Sequence, residues 1–178
     1  MVASLARALA YALVLAFAAT PAVAKRAPER FYFELRSVDA VDNAPATVSA
    51  KAKQIFADIV AKHADFEPDP AQAKRQHLRA YAIAAKITTF ERSLAPNDKP
   101  GRGGQVLTIT VEASLIGTSI PGNILSLSVS GGATIKAETG NRVLPREEEA
   151  ALDDALAGAF KSALDDAATK LRTKSKKK

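Results

Sequence analysis

The chain has 178 residues, of which 47% are hydrophobic and 25% charged, with a formal net charge of +6. It contains no cysteine, which excludes disulfides, thiolate zinc sites and a lipid-modified N-terminal thiol. Six cations (Lys170, Arg172, Lys174, Lys176, Lys177 and Lys178) fall within the last nine positions, so the basicity belongs to one end and the remaining body is nearly neutral.

Residues 1–24 have the three parts of an export signal: the cation Arg7, an apolar run from Ala8 to Ala19, and small residues at Ala22 and Ala24 with Pro21 just before them. Cleavage between Ala24 and Lys25 is expected, releasing a periplasmic or secreted protein. The 17 residues from Ala8 to Ala24 are short for a membrane span, which needs about 20, and no second span follows. The expected organisation is a signal peptide over 1–24, a single α+β domain over 25–172 and a basic disordered tail over 173–178.

The mature chain opens on RFYFELRSV, where Phe31, Phe33 and Leu35 alternate with Tyr32, Glu34 and Arg36, predicting a half-buried strand over 30–38. Turn residues follow, and from Pro45 or Thr47 the apolar positions Val48, Ala52, Ile55, Phe56, Ile59 and Val60 predict a helix ending near His63. Pro68 and Pro70 stop it, with room for a short helical turn through Gln76. Over 79–92 the alternation of Tyr81, Ile83, Ala85, Ile87 and Thr89 favours a strand.

The 96–104 stretch, PNDKPGRGG, reads as a loop. Beyond it, Leu107, Ile109, Val111, Ala113 and Leu115 point inward in a clear strand, with Thr108, Thr110, Glu112 and Ser114 outward. SIPGN suits a type II turn with its positive φ on Gly122. The partner strand then resumes through Leu125, Leu127, Val129 and Ile135, with a bulge expected at Gly131-Gly132. From Pro145 a helix of about 27 residues carries Leu152, Leu156, Ala159, Phe160, Ala163, Leu164, Ala167 and Leu171 on one stripe. Its acids gather at the start and its cations at the end, as the helix dipole favours. The fold expected is an α+β two-layer sandwich, β-α-β-β-β-α, with a mostly antiparallel four-stranded sheet and two helices on one face.

This progression of AYAIAAKITTFE (80–91), a polar loop, the hairpin VLTITVEASLI/ILSLSVSGGATIKAETG and an Ala-rich last helix resembles small periplasmic accessory domains of the curli-secretion and penicillin-binding-protein-activator type. The resemblance covers about residues 30–172 and implies a role in envelope assembly or regulation without catalysis. Two features depart from it: the lipidated cysteine is missing, and a D-x-x-T-G signature is reduced to Ala137-Glu138-Thr139-Gly140.

Catalytic, cofactor and metal sites are not expected. Gly117-Thr118-Ser119-Ile120-Pro121 has proline where a serine elbow needs glycine, and it lies in a hairpin turn. Asp65, Glu67 and Asp69 alternate like calcium ligands, but Pro70 replaces the tight-turn glycine and Gln76 the closing glutamate. His63 and His77, 14 residues apart, read as helix-end or surface residues. The acids at 147–149, 153–154 and 165–166 read as a solvated helix face.

The reading is therefore a non-enzymatic exported accessory or binding module whose partner is another envelope protein. Its contacts are expected from the outward Ser/Thr row, Thr108, Thr110, Ser126, Ser128 and Ser130, together with Arg102 of the loop. Free strand edges offer strand addition. An alternative is a peripheral protein held on anionic membrane or cell wall by Lys170, Arg172, Lys174, Lys176, Lys177 and Lys178, or that tail serves solubility alone. A second alternative is a hydrolase whose site assembles from distant segments. Nucleic acid is not an expected partner.

Overall fold

The computed structural model describes residues 29–98 and 103–175; the expected signal peptide, Arg102 and Lys176–Lys178 lie outside the described residues. Five strands form one sheet in the order β2-β1-β3-β4-β5: β1 Phe31–Asp39, β2 Phe66–Glu67, β3 Arg79–Pro96, β4 Gln105–Ile120 and β5 Leu125–Thr139. Among the described residues three helices accompany them: α1 Val48–Lys62, α2 Pro70–Arg75 and α3 Pro145–Ser175. The fold is a mixed α+β sandwich. The fifth strand, β2, is only two residues long, below the reach of a periodicity argument, and pairs parallel with β1 through Phe31↔Phe66. β1 also pairs parallel with β3, the crossover running through α1, while β3, β4 and β5 are antiparallel.

α1 and α3 cover one sheet face. Val48, Ala52, Phe56 and Val60 of α1 are buried, and α3 buries the whole expected stripe from Leu152 to Leu171 together with Ala151, Ala155 and Ala168. Phe56 meets Phe160 edge-on, ring centroids 5.6 Å apart. Pro145 starts α3, and Glu147 accepts a hydrogen bond from the Leu144 backbone N–H at 2.9 Å, capping the helix. α3 continues through Ser175, so Thr173, Lys174 and Ser175 are helical and not part of a disordered tail.

Four details differ from the sequence expectation. The register slips between Ile87 and Thr89, so Phe90, not Thr89, takes the next inward place. In the β4–β5 ladder the slip lies between Gly117 and Thr118, and the ladder passes Gly131 and Gly132 without a bulge. That slip sets Leu125 opposite outward Thr118 and leaves it 64% exposed. In the β4–β5 turn, Ile120-Pro121 is cis and the positive φ falls on Asn123, not on Gly122.

Candidate functional site

The pleat of β4 and β5 sends alternate side chains to the sheet face that α1 and α3 leave open. Thr108, Thr110, Ser126, Ser128 and Ser130 all lie on that face, as the alternation implies. Cross-strand pairing places Thr110 opposite Thr134, hydroxyl to hydroxyl at 3.0 Å, with Ser114 opposite Ser130 and Thr108 opposite Lys136. The open face of β4–β5 therefore carries a row of hydroxyls, interrupted by Glu112 and exposed Ile116, with a lysine near one end.

β5 is the last strand of the sheet, and along it backbone N–H and C=O groups alternate between β4 and the free edge. The lysines of α3 show which residues face outward. Lys174 Nζ donates to the Ser126 carbonyl at 2.6 Å and Lys170 Nζ to the Ser128 carbonyl at 3.3 Å. By the same alternation, Ser130, Gly132 and Thr134 turn their backbone groups to the edge.

Between this end of β5 and the last turns of α3 lies a cleft of about 340 Å³, lined by Ser126, Leu127, Ser128, Thr169, Lys170, Thr173 and Lys174. Ser126 and Ser128, from the hydroxyl row, thus meet Lys170 and Lys174, from the basic end, in one place. Arg172 points elsewhere, pairing with Asp65 across the fold. Thr169 and Thr173 were not among the expected residues. They stand four apart beside the lysine pair, a spacing that shares one helix face and could have flagged them.

The remaining sequence candidates are occupied with structure. Ser119 Oγ accepts from the Ile124 N–H at 3.3 Å within the turn. Asp65 pairs with Arg172, Glu67 with Arg30 at 2.7 Å, and Asp69 caps the Ala71 N–H at 2.8 Å, so these three acids serve different partners. His63 closes α1: its Nδ1 accepts from the Asp65 N–H at 3.2 Å, which fixes Nε2 as the donor to Asp165 at 3.0 Å. Hydrogen bonds from Lys161 and then His63 hold the Asp165 carboxyl below its ordinary range. Among the described residues no group of three or more His, Cys, Asp or Glu converges as a metal site, and no helix is long and apolar enough to cross a membrane.

No family model and no curated protein matches this chain. Solved structures do. A Caulobacter crescentus CB15 protein assigned as a lipoprotein aligns with 80% of this chain and 91% of its own, at 14% identity and a TM-score of 0.47. The PelC dodecamer of Paraburkholderia phytofirmans aligns over 78% of this chain and 88% of its own, at 14% identity and 0.38. A minor lipoprotein of Acinetobacter baumannii aligns over 73% and 84%, at 14% and 0.39. At these scores the likenesses bring no activity or partner to this chain.

Proposed function

We propose that this protein is an exported, non-enzymatic binding module of the cell envelope, which takes another envelope protein on the β5 edge and the adjoining hydroxyl face. Support for export comes from the sequence of residues 1–24. The observation that carries the binding mode is β5 itself: a 15-residue edge strand, without proline or bulge at its centre, whose outward carbonyls at Ser126 and Ser128 are occupied by lysines of α3. Edges of this length are ordinarily shortened, bulged or charged along their course, because unpaired backbone groups recruit other strands. An extended segment of a partner would add beside Ser130–Thr134, with Lys136 at one end and Lys170 and Lys174 at the other.

Photo-crosslinking in cells tests this reading. A photoreactive side chain at Ser130 or Thr134 is expected to join one envelope protein, while the same group at exposed Asp58 on α1 joins none. Ser130→Pro removes an outward N–H without touching the β4 ladder, and should cut crosslinking at Thr134 at least tenfold with unchanged melting. Equal labelling from Asp58, or indifference to the proline, defeats the proposal.

The rival reading, adhesion of the basic end to an anionic surface, is favoured by the lysines gathered at the close of α3. It requires binding to anionic vesicles that falls steeply with salt and vanishes when 170–178 are neutralised.

A further inference from the structure

A second cavity lies on the open sheet face away from β5, at the opposite side of the sheet. It holds about 640 Å³ and is lined by Tyr32, Glu34, Pro70, Ala73, Lys74, His77, Leu78, Ala80 and Ile120. Its floor follows from the register. Tyr32 of β1 pairs with Ala80 of β3, which pairs with Ile120 of β4, so a methyl group sits between two large side chains and leaves a hollow. α2 and the turn after it form the wall.

That turn holds an unexpected residue. The Leu78 N–H donates to the Ala73 carbonyl at 3.0 Å and the His77 N–H to the Lys74 carbonyl at 3.2 Å, the paired bonds of a Schellman motif. His77 occupies the position just past the helix end, with φ of +53°. Glycine is the usual occupant because a Cβ is disfavoured in the left-handed region. A histidine there lowers stability relative to glycine, and backbone strain of this kind gathers where a side chain has a task. The imidazole lines the cavity. Lys74, three residues earlier, lines it too.

The charged side chains come from two elements, acid from β1 and base from α2 and the turn after it. Tyr32 and Glu34, two residues apart on the outward face of β1, offer an aromatic ring and a carboxylate, which suit an ammonium group. Lys74 and His77 offer an ammonium and an imidazole N–H, which suit a carboxylate. Pro70, Ala73, Leu78, Ala80 and Ile120 are apolar. Glu34 also accepts a hydrogen bond from Arg36 at 3.0 Å, an exposed contact that a ligand ammonium can displace.

We propose that this cavity binds a short zwitterionic peptide with an apolar body, its ammonium on Tyr32 and Glu34 of β1 and its carboxylate on Lys74 and His77, and that His77 is kept at a glycine position for this contact. The volume falls within the range of about 300–1,000 Å³ typical of small-ligand sites. The site is separate from the β5 edge and stands or falls independently of it.

The test uses trialanine with free termini and its N-acetyl, C-amide counterpart, titrated into the isotopically labelled full-length protein as recovered from cells. Trialanine should shift the amides of residues 32–34 and 74–80 saturably, and blocking both termini should weaken binding at least about tenfold, the loss of one charge-assisted hydrogen bond or more. His77→Gly should melt at or above the wild type and bind trialanine at least about tenfold more weakly. Lower melting of His77→Gly would show that the histidine serves the turn itself. That outcome, undiminished binding by His77→Gly, equal binding of the blocked peptide, or no saturation at tens of millimolar each overturns the proposal.

Discussion

Gly131 lies against the backbone of Ala159: a Cβ built on Gly131 would approach the Ala159 carbonyl oxygen and the Ala163 nitrogen far closer than real Cβ atoms come, and Ser162 Cβ at 2.9 Å. The alanines at 151, 155, 159, 163 and 167, each at most 3% exposed, form an i, i+4 ridge that lets α3 sit this close to β5. Gly131→Ala should therefore destabilise the protein by about 2 kcal/mol or more, since the helix has to move to admit one methyl. Neighbouring Gly132 meets nothing nearer than Glu112 Cγ at 3.4 Å, so Gly132→Ala should be neutral or slightly stabilising. Urea unfolding of the two variants decides; equal losses would contradict the close approach.

Phe160 is fully buried and packs edge-on against Phe56 of α1, tying the two helices of the covered face together. Phe160→Ala should cost about 3–5 kcal/mol, the transfer loss plus the cavity left behind. Phe160→Leu should cost clearly less. A thermal or denaturant midpoint unchanged by the alanine variant would show that this packing is not what holds α1 to α3.

Lys170 and Lys174 cover only one end of the β5 edge. Replacing both with alanine should leave the melting temperature nearly unchanged, because exposed hydrogen bonds of this kind contribute little. Bared carbonyls at Ser126 and Ser128 should promote edge-to-edge pairing. Light scattering is expected to show concentration-dependent association of the double variant and not of the wild type; equal masses would remove the lysines from an edge-guarding role.

Arg92 grips Glu148 through two hydrogen bonds, 2.6 and 3.0 Å, and these hold the Glu148 carboxyl below its ordinary range. Asp165 is held down likewise by Lys161 and His63. As the pH falls, the unfolded chain takes up protons on these carboxylates before the native one does. Their contribution is therefore complete above about pH 5, and is lost as the pH drops past the ordinary carboxylate value near 4 and through the lower native ones. Both partners of the Arg92–Glu148 pair are more than a third exposed, so its share should not exceed about 1 kcal/mol. Arg92→Gln should flatten the fall in melting temperature between pH 5 and pH 3, and 0.5 M salt should do the same. A slope unaltered by either would place the acid sensitivity elsewhere.

Most of the architecture was legible because its signals are local. Leu107 to Leu115 alternate along one strand and Leu152 to Leu171 follow one helical stripe, and those same side chains form the core. A period of two or of 3.6 is fixed by bond geometry and by which side chains must leave water, so the sequence by itself determined these elements, their inward faces and the outward hydroxyl row. The hydroxyls and the basic end were each visible as well, but 42 residues separate Ser128 from Lys170, and only folding brings them to one cleft.

What the tertiary structure decided depends on contacts between distant segments. A glycine in a strand marks either a bulge or a close neighbour, and for Gly131 the neighbour, Ala159, lies in another element, out of reach of local sequence. β2 exists only because Phe66 finds β1 beside it. The hollow over Ala80 arises because Tyr32 and Ile120, far apart in sequence, are set on either side of it by the register, and the left-handed His77 that faces it carries no residue type by which a sequence could announce it. Periodicity reports which way a side chain points; what it then meets is settled by long-range packing, where one strand's register determines another's neighbours.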